Sequence, residues 1–145
     1  MAFELTDAEL AFIKEQRIGR LATASPSGAP DVSPSLAIYR RSLGVFLFGG
    51  QGIERTRRYN NARRNPQASL VFDAISWDPY ELKGLKVAGS IEVHVADDAV
   101  NLGAMGIPLL VLRPERKWAW GFDEQAFDEQ GQFRLHVDGG DARAI

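Results

Sequence analysis

Short apolar runs along the chain are separated by glycine, proline and charged residues at intervals of roughly ten residues. In the stretch "SIEVHV", Ile91, Val93 and Val95 alternate with Glu92 and His94. A period of two places apolar side chains on one face of a β-strand and polar side chains on the other. Repeated short strands with frequent turn residues are typical of a small antiparallel β-barrel.

These runs predict six strands and a further terminal strand. In chain order they lie in "GRLATAS", "DVSPSLAIYR", "VFLFGG", "ASLVFDAI", "LKGLKVAGSIEVHV", "IPLLVLRPERKWAW" and "GQFRLHVD". Pro30 and Pro34 cannot donate ladder hydrogen bonds, so the second strand, after the turn at residues 26–28, is expected at an edge, at a bulge or where a ligand replaces a neighbouring strand. Pro114 is a candidate break in the sixth strand. The stretch "SWDPYE" is predicted as a loop, and "ADDAVNLGAMG" as at most a short helix.

Two helices are predicted from capping and termination signals. Thr6 and Glu9 form a capping box at the start of the first helix, which is expected over Asp7–Arg17. The second helix follows the glycine-rich "GGQG", covers about residues 54–64 and ends before Pro66.

The composition bounds the class of protein. The chain has 145 residues, of which 45% are apolar and 25% charged, and one domain over residues 1–145 is predicted. It has no cysteine, and its two histidines, His94 and His136, are too few for a typical metal site, so no metal is expected. No stretch approaches the ~20 apolar residues of a membrane helix, and no secretory signal is visible. A cytoplasmic protein without membrane association is therefore expected.

Positive charge is concentrated in one part of the chain. The segment from Val32 to Phe72 carries a net charge of +6, whereas the whole chain carries -2. Five arginines fall between Arg55 and Arg64, but at helical spacing they spread around the whole cylinder, with Tyr59 and Ala62 on the side expected to be buried. The absence of a single basic stripe argues against nucleic acid as a partner and favours a compact anionic ligand.

The start of the second predicted helix combines several features of a phosphate cradle. A helix N-terminus presents unpaired backbone N–H groups to an anion. Thr56 adds a hydroxyl, Arg57 and Arg58 add forked donors, and the glycines at 49, 50 and 52 permit close approach of the backbone. The pattern matches neither a Walker A loop nor G-x-G-x-x-G. A merely solvated helix remains the alternative interpretation.

The order of five segments resembles a known family. They are the opening helix, "IGRLATASPSGAPDVSP", "FGG…RTRRYNNARRNPQASLVF", "LKGLKVAGSIEV" and "LRPERKWAWGFD". The chain is similar to the flavin-binding split-barrel family typified by pyridoxamine 5'-phosphate oxidase, and especially to its short actinobacterial branch that depends on the deazaflavin coenzyme F420. This resemblance implies a mainly β fold with flanking helices (α+β), a six-stranded antiparallel split β-barrel.

The resemblance also implies a set of cofactor-binding residues. A Ser/Thr-Arg/Lys-Arg/Lys triplet grips the cofactor phosphate in that family, a strand runs its backbone along the ring system, and an aromatic residue of a late strand approaches the cofactor. The matching positions here are Val32, Ser33, Pro34, Ser35, Phe48, Gly49, Gly50, Thr56, Arg57, Arg58 and Trp120, to which we add Arg55 as a further candidate. Family members are homodimers with cofactor sites at the subunit interface, so a homodimer is expected.

Two departures separate the chain from the oxidase itself. A flavin-contacting glutamine of the oxidase corresponds to Gly84 here, which weakens the case for ordinary FMN binding. The "RLH" motif that holds pyridoxal phosphate is matched by Arg134 to His136, but too far beyond Trp120. We interpret this match as a coincidence and do not expect oxidation of pyridoxamine phosphate.

The resulting functional hypothesis is hydride transfer between coenzyme F420 and a small organic substrate, with Arg40 and Arg41 as further contacts to the anionic tail of the cofactor. An FMN-dependent oxidoreductase is one alternative. A non-enzymatic flavin, deazaflavin or haem binder is another, with His94 or His136 as the axial ligand of a haem. No catalytic residue is assigned, although Tyr39, Tyr59 and Ser35 are candidates as proton donors. Trp118 and Trp77 are assigned to the core.

Overall fold

The structure, a computed structural model, describes residues 3–138. Helix α1 spans Asp7–Gln16, and both hydrogen bonds of the predicted capping box form, Glu9 N–H to Thr6 Oγ1 at 3.1 Å and Thr6 N–H to Glu9 Oε2 at 2.9 Å. The helix ends at Gln16, one residue before the predicted end at Arg17. Arg17 takes the C-cap position with φ 62°, and its N–H donates to the carbonyl of Ile13.

Eight strands follow α1, interrupted by one more helix, and consecutive neighbours in the sheet are antiparallel. Helix α2 spans Arg57–Arg64. The strands are β1 Ile18–Ala24, β2 Pro30–Leu36, β3 Ile38–Arg40, β4 Val45–Phe48, β5 Gln67–Trp77, β6 Tyr80–Val95, β7 Pro108–Trp120 and β8 His136–Asp138.

The sheet curls because its two edges are joined by a single residue. Its order is β2-β1-β5-β6-β7-β4-β3, with β8 added against β7. The edge strands β2 and β3 are consecutive in the chain and are separated only by Ala37, whose N–H donates to the carbonyl of Arg17 at 3.0 Å. The chain therefore bends at Ala37 and brings the far edge of the sheet round to the near one. The predicted mainly β, antiparallel split-barrel fold is confirmed.

The strand count differs from the expected six for two reasons. The predicted second strand is divided at Ala37 into β2 and β3, which lie at opposite edges, and the terminal strand β8 pairs with β7. Pro114 does not break β7, because the register shift between Ala88 and Gly89 of β6 accommodates an extra residue at Glu115. Pro30 and Pro34 lie in an edge strand, as predicted.

Two predicted connecting segments also take a different form in the structure. The predicted loop "SWDPYE" is a tight turn, because β5 continues to Trp77 and β6 begins at Tyr80. The predicted short helix in "ADDAVNLGAMG" does not form. Instead, Asp97 Oδ1 accepts hydrogen bonds from the N–H groups of Ala99 and Val100, at 3.0 and 2.8 Å, and holds this segment as a turn.

The main core fills the concave side of the curled sheet, where Leu70, Phe72, Leu85 and Val87 are almost completely buried. Helix α1 closes one end of this core with Phe12, Ile13 and an ion pair. Glu9 Oε2 and Lys117 Nζ are 3.0 Å apart with about 5% of each side chain exposed, and Lys117 also donates to the carbonyl of Glu4. This pair connects α1 to β7 near the end of that strand.

None of the helices within residues 3–138 has the length and apolarity needed to cross a membrane.

Candidate functional site

The candidate phosphate site lies where a glycine-rich turn enters α2. Gly50 has φ 138° and Gly52 has φ 73°, a region of backbone space that favours glycine. A 3₁₀ turn at Ile53–Arg55 follows, and Thr56 is then extended, with φ -86° and ψ 153°. The predicted continuous helix over 54–64 is therefore wrong: Thr56 is the N-cap, and α2 begins at Arg57.

Thr56 is already engaged within the chain. Its hydroxyl donates to the carbonyl of Ile53 at 2.6 Å and accepts from the N–H of Tyr59 at 3.3 Å. The hydroxyl proton predicted to point at a phosphate thus closes the turn before α2. The first backbone N–H groups of a helix lack intrahelical carbonyl partners, so those of Arg57 and Arg58 are the donors that the N-cap leaves for an anion.

Three arginines lie within two residues of the N-cap Thr56, and we call Arg55, Thr56, Arg57 and Arg58 the arginine site. Arg55 and Arg57 are exposed, and Arg58 is half-buried with an enclosed Nε that has no hydrogen-bond partner. The first turn of α2 contains no acidic residue. Cations at the positive end of a helix dipole are unfavourable on their own and become favourable around an anion. Arg63 and Arg64 lie in the last turn, where their positive charges interact favourably with the negative end of the helix dipole.

Two asparagines fix α2 against the end of β1 and so set the position of the arginine site. The Nδ2 of Asn61 donates to Thr23 Oγ1 at 3.1 Å, and the Nδ2 of Asn65 donates to the carbonyl of Ser25 at 3.0 Å. Ala62 is buried and Tyr59 packs against the main core, which confirms the predicted inner side of the helix. The role of Asn61 was missed, because a buried asparagine has no signal in the sequence until its partner strand is known.

The segment Val32–Ser35 lies in edge strand β2. Within the described residues β2 pairs with β1 alone, so its other edge keeps free backbone groups. Val32 and Pro34 are exposed on the convex face of the sheet, whereas Ser33 and Ser35 face inward. The Oγ of Ser35 is buried and has no hydrogen-bond partner. Ser35 and Arg58 thus both keep an unsatisfied polar atom, and both are predicted site residues.

The three predicted residues at the end of β4 differ in what they offer. Phe48 is fully buried, so only its backbone is available. A Cβ at Gly49 would lie 2.7 Å from Leu102 Cδ1, which means that internal packing already uses the space of the missing side chain. Around Gly50, by contrast, no atom lies within 4 Å of where a Cβ would be. Gly50 is therefore the glycine of this group that is open to a ligand.

Trp120 packs on the strand next to it. It pairs with Gly84, and a Cβ at Gly84 would lie 2.0 Å from the indole ring, so the glycine is what allows the ring to lie flat on β6. Its ring centroid is 5.9 Å from that of Phe133. Gly84 lies six residues, or about 20 Å, along β6 from Ser90, which pairs with Gln67 just after α2. One chain therefore does not bring Trp120 together with the arginine site.

Of the other two tryptophans, Trp118 is buried and Trp77 is exposed. Trp118 is 2% exposed and lies beneath Lys86, whose Nζ is 4.2 Å from the ring centroid, so its assignment to the core is confirmed. Burial and the neighbouring Arg116 both lower the pKa of Lys86. Trp77 is 76% exposed at the tip of the β5–β6 hairpin, where it contacts Tyr80. Its assignment to the core was wrong, because the hairpin extends beyond the body of the sheet.

The candidate proton donors and haem ligands lie in different places. Burial raises the pKa of Tyr39, so its hydroxyl stays protonated at neutral pH. His94 Nε2 is 3.1 Å from Asp97 Oδ2, whose pKa is lowered mainly by the hydrogen bond from the N–H of Val100. The side chain of His136 lies outside the described residues. Within residues 3–138, no three His, Asp or Glu side chains group closely enough to hold a metal ion.

The two arginines proposed for the cofactor tail are arranged differently. Arg40 Nη2 donates to the carbonyl of Asn101 at 2.8 Å, while its Nε is buried without a hydrogen-bond partner. Arg41 is largely exposed, and its Nη2 is 3.8 Å from Asp7 Oδ1. In the "RLH" stretch, Nη1 of Arg134 is 3.5 Å from Oε2 of Glu124.

Comparison with known proteins places the chain in a family. The profile of the pyridoxamine 5'-phosphate oxidase family matches residues 5–107, and the chain belongs to that family. A curated relative, the 5a,11a-dehydrotetracycline/5a,11a-dehydrooxytetracycline reductase of Streptomyces rimosus, is 22% identical over 119 residues, which are 81% of this chain and 84% of the reductase.

Two solved structures illustrate the range of proteins with this fold. A pyridoxamine 5'-phosphate oxidase-related, FMN-binding protein from Nostoc punctiforme superimposes with a TM-score of 0.60 at 12% identity, covering 94% of this chain and 98% of that one. HutZ, the haem storage protein of Vibrio cholerae, gives a TM-score of 0.59 at 18% identity, covering 78% of this chain and 91% of that one. At these identities the likeness is one of fold.

Proposed function

We propose that this member of the pyridoxamine 5'-phosphate oxidase family holds the phosphate of a flavin-type cofactor at the arginine site and works as a coenzyme F420-dependent oxidoreductase. The observation that carries the proposal is the N-terminus of α2, where Arg55, Arg57 and Arg58 gather without an acidic residue in the first turn. The enclosed Nε of Arg58 has no partner within the chain. A bound phosphate would satisfy that donor, the exposed helix N–H groups and the dipole together.

The number of arginines favours the deazaflavin over FMN. Arg57 and Arg58 suffice for one phosphate, whereas Arg55, Arg40 and Arg41 provide further positive charge for the anionic tail of coenzyme F420. When bound, the deazaflavin supplies hydride transfer and reacts poorly with oxygen, because carbon replaces the reactive nitrogen of flavin. The chain itself would hold and orient the cofactor through Gly50, the backbone of β2 and the arginine site. The similarity to a reductase supports the reaction class.

A homodimer would complete the site. The convex face of the sheet carries Ile18, Val32 and Leu36, which are 54%, 65% and 55% exposed, more apolar surface than a sheet face in water normally leaves open. Pairing this face with a second copy would bury it. Trp120, which one chain does not connect to its own arginine site, would then be available to the site of the other chain.

An FMN-dependent oxidoreductase is the second candidate, favoured by the similarity to the FMN-binding protein of Nostoc punctiforme. The non-enzymatic haem binder has less support from the described residues. His94 already interacts with Asp97 at 3.1 Å and would have to leave that contact to ligate a haem.

A paired titration tests the proposal. The purified protein is titrated with coenzyme F420 and with FMN at low and high salt, and binding is followed by tryptophan fluorescence. Micromolar F420 binding that weakens with salt, with FMN at least tenfold poorer, is the expected result. Equal or tighter FMN binding would assign the protein to the FMN-dependent class. No binding of either cofactor would contradict the phosphate site itself.

A further inference from the structure

A cavity lies beside the turn of the β5–β6 hairpin, at the end of the hairpin away from α2. It has a volume of about 450 Å³, within the range of small-molecule sites, and lies between the end of α1, the hairpin and the segment after β7. At about 3.3 Å per residue, its wall at Ile75 is roughly 26 Å along β5 from Gln67, where the strand leaves α2. This cavity is therefore separate from the arginine site of the same chain.

Aromatic rings form the inner wall of the cavity. Phe12 of α1 and Phe122 after β7 meet edge to face, with ring centroids 5.3 Å apart and an interplanar angle of 89°. The Nζ of Lys83 lies 5.2 Å from the centroid of Phe122 and 6.0 Å from that of Phe12. The rings thus already present their faces to one positive charge, which is the arrangement that attracts a cation to an aromatic surface.

The rim of the cavity is acidic. Glu15, Glu81, Asp123 and Glu124 line it, and among the described lining residues Lys83 is the one with a positive charge. Glu124 is partly neutralised by Arg134 at 3.5 Å. The other three carboxylates are exposed and come from three separate parts of the chain, the end of α1, the start of β6 and the segment after β7. The potential in the cavity is therefore negative and disfavours an anionic ligand such as a phosphate or a carboxylate.

We propose that this acidic pocket, formed by Phe12, Phe122 and Lys83 with the carboxylates of Glu15, Glu81 and Asp123, binds a small organic cation with an aromatic body. The body would pack against the phenylalanine rings, and the ammonium group would lie at the carboxylate rim. Lys83 opposes the ligand's charge, so it limits the affinity. None of these residues belongs to the arginine site or to the other predicted cofactor contacts.

Calorimetric titration with three probes tests the charge requirement. Phenethylammonium, phenylacetate and benzyl alcohol share the ring and differ in charge. Phenethylammonium is expected to bind at least tenfold more tightly than phenylacetate, with benzyl alcohol between them, and its affinity should fall as salt is added. Equal or tighter binding of phenylacetate, or no binding of phenethylammonium up to about 10 mM, would overturn the proposal.

Variants test whether the measured site is the acidic pocket. The double variant Glu81→Gln/Asp123→Asn should weaken phenethylammonium binding roughly three- to tenfold, since each exposed carboxylate contributes modestly. The control Glu92→Gln/Asp98→Asn removes the same charge elsewhere and should leave the affinity unchanged. Lys83→Met should tighten binding about threefold, because it removes the competing cation. An unchanged affinity in the first variant, or weaker binding in Lys83→Met, would contradict the assignment. Thermal unfolding and unchanged cofactor binding show that each variant is folded.

Discussion

The arginine site and the acidic pocket lie at opposite ends of the same hairpin, and they are built in different ways. The arginine site comes from one short stretch, from Arg55 to Arg58, and its charge is positive. The acidic pocket takes its walls from α1, both strands of the hairpin and the segment after β7, and its rim is negative. A site made from consecutive residues is visible as a motif, whereas a site assembled from distant segments exists only after folding.

The two regions are also held in place by different contacts. Helix α2 is fixed by the hydrogen bonds of Asn61 and Asn65 to β1 and the turn after it. Helix α1, which provides one wall of the acidic pocket, is fixed by the buried pair of Glu9 and Lys117. A substitution that weakens the anchoring of one helix should therefore affect the site beside that helix and leave the other site intact.

The largest expected effect comes from breaking the buried ion pair. Lys117→Met leaves the carboxylate of Glu9 buried without its cation, which typically costs about 3–5 kcal/mol of unfolding free energy. Urea unfolding at neutral pH measures this loss. The double variant Glu9→Gln/Lys117→Met removes both charges and should recover part of the stability. A loss below about 1 kcal/mol in the single variant would mean that the pair does not hold α1.

The next largest effect concerns the arginine site. Removing Arg57 and Arg58 together should weaken binding of the proposed cofactor by more than tenfold per arginine, because a hydrogen bond to a charged group contributes about 1.5–3 kcal/mol. Fluorescence titration of Arg57→Ala/Arg58→Ala gives the measurement. Arg63→Ala/Arg64→Ala removes the same charge from the other end of α2 and is the matched control. If both doubles lose affinity equally, the arginines act only through net charge.

A methyl group added at Gly84 should displace Trp120 and lower the stability of the protein. Gly84→Ala places a Cβ where the ring of Trp120 now lies, and overpacking of this kind typically costs about 1–3 kcal/mol. Trp120 must move, so the tryptophan emission should shift. The control is the same substitution without the clashing ring: in a Trp120→Ala background, Gly84→Ala should cost less stability, because the indole ring is gone. An unchanged emission spectrum in Gly84→Ala would contradict the observed stacking.

The smallest expected effect is a pH-dependent change in stability that comes from Asp97, in the turn after β6. The lowered pKa of Asp97 means that its hydrogen bonds to the turn at 99–100 favour the ionised carboxylate. The stabilisation should be complete above the unfolded pKa of about 3.9 and should disappear as the pH falls through the lower folded pKa. The difference in stability between the wild type and Asp97→Ala should therefore be present at pH 7 and shrink below pH ~4. Asp98→Ala is the control, and a difference that grows on acidification would reverse the assignment.

The sequence by itself determined features that depend on residues within one or two turns of each other. The capping box at Thr6 and Glu9 formed as predicted because its two hydrogen bonds join residues three apart. The prolines of β2 identified an edge strand because proline lacks the N–H that a central strand must donate. The arginines near Thr56 could be proposed as a phosphate site for the same reason, since neighbouring residues share one helix N-terminus.

Only the tertiary structure decided which of these residues are open, enclosed or already occupied. Whether Gly49 and Gly84 leave room for a ligand depends on Leu102 and Trp120, which lie dozens of residues away and arrive through the register of the sheet. Tertiary packing also leaves the Nε of Arg58 buried without a hydrogen-bond partner, divides the second predicted strand at Ala37 and leaves Trp77 exposed to solvent. Such contacts join positions that are distant in sequence, so no local pattern encodes them, and the acidic pocket is entirely of this kind.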